Sequence, residues 1–189
     1  MDITLQTFMC SLGIIGQLNS NQSQIINVKS QLLTNTSFDS EYVSALVGFS
    51  GSPCNISNIK INQSNYTAYS SSGGIIGYCA NVTNMNNISV LQLNISSYLS
   101  GSGGIIGSID NTTVTLKNSV IQSIWVCVNY NKNESGIILG YDFGRYAPSS
   151  IPLSIFIIQN SSSSGTNYIN NVLQGNCATL NNAQLQKGC

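Results

Sequence analysis

Apolar residues in this chain come in short clusters set among Ser, Asn, Gly and Thr, and no stretch sustains the rhythm of an amphipathic helix. The clusters recur. Gly13-Ile14-Ile15-Gly16, Ala45-Leu46-Val47-Gly48, Gly74-Ile75-Ile76-Gly77, Gly104-Ile105-Ile106-Gly107 and Gly136-Ile137-Ile138-Leu139-Gly140 follow one another, their last glycines 32, 29, 30 and 33 residues apart. An Asn leading into Val or Ile lies ten or eleven residues past the first four: Asn27-Val28, Asn58-Ile59, Asn87-Ile88 and Asn118-Ser119-Val120. A third apolar patch closes a turn at residues 66–69, 95–99 and 124–128. So steady a period implies one supersecondary unit repeated, each copy burying its apolar face by stacking on the next.

Three short strands in every ~30 residues, divided by polar turns, predict an all-β fold: a right-handed parallel β-solenoid of about five coils. With coils about 4.8 Å apart, the core is a rod about 24 Å long. The predicted divisions are an amino-terminal strand over residues 1–9, the solenoid over 10–165, and a Cys-containing cap or tail over 166–189. Ile14, Ile15, Ile75, Ile76, Ile105, Ile106, Ile137 and Ile138 are the expected core, in register on adjoining turns. Gly73-Gly74 and Gly103-Gly104 are expected at corners, either for positive φ or for close backbone approach. The recurring Asn27, Asn58, Asn87 and Asn118 have two readings: a ladder of amides bonded from coil to coil, or turn residues without mutual bonds.

Composition moves the picture outside the cell. Only 6% of the 189 residues are charged, and six cations balance six anions. That excludes an electrostatic footprint for nucleic acid or an anionic membrane. Solubility needs another source, and the chain holds eleven Asn-x-Ser/Thr acceptors, at Asn21, Asn35, Asn55, Asn62, Asn65, Asn81, Asn87, Asn94, Asn111, Asn133 and Asn160. With 25 Asn and 41 Ser plus Thr, chance supplies about five, so the set exceeds composition. Asn81 and Asn111 share one phase of the repeat, and Asn65 and Asn94 another, which lines sugar along one side of the rod. Asn87 is claimed by both ladder and glycan.

The Gly-Ile-Ile-Gly pattern over roughly residues 10–145 resembles the GLUG-motif repeats of secreted and surface proteins. The resemblance implies a β-solenoid with an extracellular adhesive or scaffolding role and carries no catalytic residues onto this chain.

Six cysteines, Cys10, Cys54, Cys79, Cys127, Cys177 and Cys189, with no His and no Cys-x-x-Cys, point to disulfides in an oxidising compartment. Fifteen connectivities exist. Phase favours Cys54 with Cys79 on adjacent coils and Cys177 with Cys189 in the tail. Cys10 and Cys127 are then about four coils apart and pair between molecules, unless the other assignments are wrong.

The chain starts without a basic, apolar leader, and the run over residues 151–158 is too short and broken to span a bilayer, so a processed, secreted product without direct membrane insertion is expected. Asp110 and Asp142, near phase on adjacent coils, are the carboxylates nearest to an acid–base pair, against a reading as turn residues. No enzyme, cofactor or metal is expected. The leading expectation is a structural subunit polymerising head to tail with copies of itself through uncapped ends. Its interface places Ile3, Leu5 and Phe8 against Ile151, Ile155 and Ile157 of the next subunit, with Cys10 locking the joint. The alternative is a monomeric adhesin or carbohydrate-binding module whose Tyr66, Tyr69, Tyr98 and Tyr130 either offer aromatic platforms or pack in the fold.

Overall fold

The computed structural model describes residues 3–5, 13–19, 22–31, 33–36, 41–130, 134–142 and 154–174. Among these the chain is all-β, without helix, and its parallel strands stack as a β-solenoid. Five glycine-motif strands stack on one side: β2 (Ile15–Leu18), β7 (Val47–Ser50), β10 (Ile76–Cys79), β13 (Ile106–Ile109) and β18 (Leu139–Asp142). Five rungs enclose about four complete turns, one fewer than the repeat count suggests. Beside them lies a four-stranded, serine-rich sheet of β6 (Tyr42–Ser44), β9 (Ser71–Gly73), β12 (Ser102–Gly103) and β17 (Ser135–Gly136). Everything else joins one long sheet, whose central members β8 (Cys54–Ala68) and β11 (Thr83–Ser97) each run 15 residues.

Register aligns the apolar rows of the glycine motifs, with the last rung offset by one so that Leu139 and not Ile138 continues the row. Ile15 lies opposite Val47, Val47 opposite Ile76, Ile76 opposite Ile106, and Ile106 opposite Leu139. Ile75, Ile76, Ile105, Ile106, Ile137 and Ile138 are fully buried, and Ile15 packs against the core. Ile14 is the exception. It stands 47% exposed, because it sits on the first rung, where a row has a neighbour on one side only among the described residues.

The long strands bend without breaking. In β8 the inward residues are Cys54, Ile56, Ile59, Ile61, Ser64, Tyr66 and Ala68, and their alternation slips once after Asn58 and once after Gln63. Both residues are left-handed, with φ of 55° and 50°. Each inserts one residue at a corner and returns the next side chain to the interior. On the next turn Asn87 and Gln92 repeat the device at 56° and 53°. The paired glycines had two readings, this conformation or close backbone approach. Gly73, Gly74, Gly103 and Gly104 do not adopt it. Gly73 serves close approach instead: a Cβ there would lie 2.0 Å from the Ile76 oxygen and 2.6 Å from the Gly107 nitrogen.

Buried serines line the serine-rich sheet. Ser72 Oγ donates to the Ser96 carbonyl at 2.7 Å, and Ser102 Oγ donates to the Cys127 carbonyl at 2.8 Å. The two hydroxyl oxygens lie 3.2 Å apart. These bonds satisfy hydroxyls that burial would otherwise penalise.

The ends differ from expectation. The amino-terminal strand β1 (Ile3–Leu5) pairs in parallel with β5 (Leu33–Thr36) of its own chain, Ile3 opposite Leu33 and Leu5 opposite Asn35. At the other end β19 (Ile155–Gln159), β20 (Ser162–Ser164) and β21 (Asn167–Ile169) form the last turn, so the solenoid runs past residue 165. The chain then reverses, and β22 (Val172–Gln174) lies antiparallel on β21. The carboxy-terminal end is therefore capped in this column.

Candidate functional site

The outer face of the long sheet carries two columns of corner residues along the rod. In the first, Asn58 Nδ2 donates to Asn27 Oδ1 at 3.0 Å and Asn87 Nδ2 donates to Asn58 Oδ1 at 2.9 Å. Asn118 Nδ2 reaches Asn86 Oδ1 at 2.8 Å, and Asn160 Nδ2 reaches Asn118 Oδ1 at 3.3 Å. The expected ladder thus holds as far as Asn27, Asn58 and Asn87; Asn118 bonds Asn86 in place of Asn87, and Asn160 extends that second run. Asn27, Asn58, Asn87, Asn118 and Asn160 are all left-handed, with φ between 49° and 62°, a conformation Asn tolerates better than other side-chain-bearing residues.

The ladder is exposed, not buried. An amide offers two N–H donors and two acceptor lone pairs. A rung such as Asn58 uses one of each on its neighbours and turns the rest to solvent.

The second column is Gln63, Gln92, Ser123 and Gly165, with φ of 50°, 53°, 53° and 78°. Its varied residue types hid it from motif reading; the only signal was a polar residue five positions after Asn58, Asn87 and Asn118. Gln63, Ser64, Asn65, Gln92, Asn94 and Ser123 line a shallow groove here of about 450 Å³.

Between the columns lie two lysines. Lys29, on β4 (Lys29–Gln31), is directly opposite Lys60, and both are exposed. Gln31 Nε2 donates to Gln63 Oε1 at 2.9 Å beside them. Lys117 lies on the other side of the Asn ladder, opposite Asn86. Among the described residues every cation is on the long sheet, whereas Glu41, Asp110, Glu134 and Asp142 lie on or next to the two short sheets.

The described sequons mostly face outward. Asn65 and Asn94 are directly opposite one another, as their shared phase predicts, and both are exposed. Asn55 is exposed and accepts a bond from Asn84 Nδ2 at 3.1 Å. Asn111 is exposed; Asn81 is half-buried and donates to the Gly51 carbonyl at 3.3 Å. Asn62 is half-buried, and Asn35 lies on β5 with its backbone opposite Tyr66. Asn21 and Asn133 lie outside the described residues.

A sugar on Nδ2 replaces one amide hydrogen and places bulk at the ladder spacing of about 4.8 Å. Glycopeptide mass spectrometry of the protein from its native source is expected to find Asn65, Asn94 and Asn111 occupied and the ladder residues Asn87 and Asn160 bare. Full occupancy at Asn87 contradicts this.

The aromatic candidates separate. Tyr66 is fully buried and offers no platform. Tyr69 and Tyr98 stack at 5.8 Å with rings 19° apart, and Tyr130 is 78% exposed. A further cluster, unforeseen in the sequence, joins Phe49 and Tyr78, stacked at 5.5 Å, with Tyr42 at 4.7 Å from Tyr78.

Tyr78 Oη donates to Asp110 Oδ2 at 3.3 Å. Asp142 lies opposite Ile109, one residue out of step with Asp110. No group of three or more metal-ligating side chains occurs among the described residues.

Cys54 and Cys79 stand as buried thiols here and not as the expected Cys54–Cys79 bridge; Cys10, Cys177 and Cys189 lie outside the described residues. Cys79 Sγ is 3.2 Å from Thr83 Oγ1, and Thr83 is opposite Cys54. Burial, followed by the neighbouring Cys79, pushes the Cys54 thiol from 9.0 up to about 11. Burial likewise raises Cys79 and Tyr66, and raises Tyr78 with help from Asp110.

These groups stay protonated in the fold at a pH where the unfolded chain has ionised. Stability is therefore fully present below the unfolded value and falls as pH climbs from about 9 toward 11 for Cys54. Denaturant titrations are expected to give a flat midpoint from about pH 6 to 8 and a decline above pH 9. A midpoint that holds beyond pH 10 contradicts the burial of these groups.

No described helix is long and apolar enough to cross a membrane. Comparisons with protein-family models, curated proteins and solved structures return no match to this chain.

Proposed function

We propose that this chain is a secreted, N-glycosylated surface module, a rigid solenoid that works as a monomer and uses its long face to hold carbohydrate. The observation that carries the reading is the pair of polar columns on that face, with amide hydrogen-bonding capacity repeated at the rung spacing. Sugars are recognised through arrays of donors and acceptors, and a rigid array loses little entropy on binding. The reading is non-enzymatic: the Asp110 carboxylate is engaged by Tyr78, and Asp142 is out of step with it. The GLUG-like repeat pattern, with its adhesive context, agrees.

Monomeric action follows from the ends. In a straight stack, strands of the same column meet. β1 occupies the column of β5, β8, β11, β16 (Trp125–Val128) and β21, and β22 occupies it at the far end. The two strands would meet there first and hold the remaining columns apart. The expected contact of Ile3 and Leu5 with Ile155 and Ile157 is also out of column: β19 stacks through β14 (Thr113–Lys117), β11 and β8 to β3 (Ser23–Ile26). Phe8 and Ile151 lie outside the described residues.

A second reading keeps the filament. It is favoured by β3 and β4 at one end and β19 and β20 at the other, each paired on one edge only among the described residues. Negative-stain microscopy with light scattering at high concentration separates the two. Isolated particles with the mass of one glycosylated chain are expected; filaments overturn the monomer and restore the head-to-tail homopolymer.

A further inference from the structure

We propose that the Lys29–Lys60 pair, with the amides around it, is a recognition site for the anionic groups of an acidic polysaccharide, a chain bearing sulfates or uronate carboxylates. The proposal rests on the carbohydrate reading above and names the class of glycan. Its basis is an unfavourable arrangement that no described acid on the same face relieves. Lys29 and Lys60 are directly opposite on neighbouring strands, so their ammonium groups repel. Both are exposed, and the described acids all lie on or next to the short sheets. With cations so scarce in this chain, two in register on one patch form its largest local positive charge among the described residues.

The flanking groups suit a glycan. On one side Asn58 bonds Asn27 at 3.0 Å, and on the other Gln31 bonds Gln63 at 2.9 Å. Each amide pair spans the same two turns as the lysines, so the charges are framed by side chains held from rung to rung. The four amides keep donors and acceptors for the hydroxyls on either side of a sulfate or carboxylate. An anion between the two ammonium groups replaces their repulsion by two charge-assisted contacts. The Asn ladder continues along the axis past the patch, giving a linear chain a path over later turns. Charge complementarity selects an acidic over a neutral polysaccharide, and the neutral amide frame selects a hydroxyl-rich ligand over a bare phosphate.

The test compares the intact secreted protein with a Lys29→Gln, Lys60→Gln double variant and a Lys117→Gln control. The probes are heparin, polygalacturonate, neutral dextran and phosphatidylserine vesicles. The double variant is expected to lose at least about tenfold in affinity for the two acidic polysaccharides, while Lys117→Gln loses less than about threefold. Wild-type binding to the acidic probes should weaken as salt rises from about 0.05 to 0.5 M. Thermal unfolding of the double variant should match or exceed wild type, since it removes a repulsion.

Equal acidic-probe binding by wild type and double variant overturns the site. So does wild-type binding to the vesicles but to neither acidic polysaccharide, which makes a membrane the partner. Dextran binding that survives in both proteins while acidic binding is unaffected by the substitutions keeps the carbohydrate reading and overturns this site. Failure of every polysaccharide overturns both.

Discussion

Replacing Ile76 by Asp is expected to abolish the folded state. Ile76 is fully buried in β10 with Val47 opposite on one side and Ile106 on the other, so a carboxylate there has no route to water. Loss of the apolar contacts and burial of an unpaired charge together cost about 5 kcal/mol or more, comparable to the whole stability of an ordinary domain. In a stack each turn is supported only by its neighbours, so failure of a middle rung removes support from both halves. Circular dichroism should show the β spectrum lost or its thermal transition far below wild type. An Ile76→Val control, which removes one methylene, should cost only about 1 kcal/mol. A variant with Asp at this position that melts like the native protein would refute the register of the glycine-motif strands.

Adding one methyl at Gly107 should be nearly as damaging. A Cβ there would lie 2.5 Å from the Gly77 oxygen and 2.8 Å from both the nitrogen and the carbonyl carbon of Ser72. These are backbone atoms of the preceding turn, held by strand pairing on both sheets, so they cannot move aside separately. Gly107→Ala is expected to cost about 2 to 4 kcal/mol. Gly51→Ala supplies the contrast. Its Cβ would meet Asn19 Oδ1 at 2.7 Å and the Phe49 ring at 2.8 Å, both side-chain atoms that can swing away. A loss below about 1 kcal/mol is expected there. Equal denaturant midpoints for the two variants would show that the short sheets are not packed backbone on backbone.

Much of this architecture was legible in the sequence because the chain repeats. The Ile75-Ile76 and Ile105-Ile106 pairs lie 30 residues apart and stack one turn apart. The recurring Asn was legible for a second reason: only a few residue types tolerate left-handed backbone, and repetition turns that tolerance into a column. Asn160 escaped because the last step of the ladder spans 42 residues instead of about 30. The column of Gln63, Gln92, Ser123 and Gly165 escaped because no single residue type runs its length.

What the sequence determined by itself was the period, the β character, the identity of the core rows and the richness in sequons. All are local or strictly periodic, and are carried by the order of residues along one turn. The tertiary structure decided what meets across turns and across the interior. It gave the left-handed corners to Asn and Gln and reserved Gly73 and Gly107 for backbone contact. It buried Tyr66, left Ile14 in solvent and folded β22 back over the last turn. It also set Lys29 beside Lys60, 31 positions away, with the acids on or next to the short sheets. Such placements depend on which strand edge pairs with which, and on the room left between packed sheets. Both are non-local quantities, fixed only when every rung is in register.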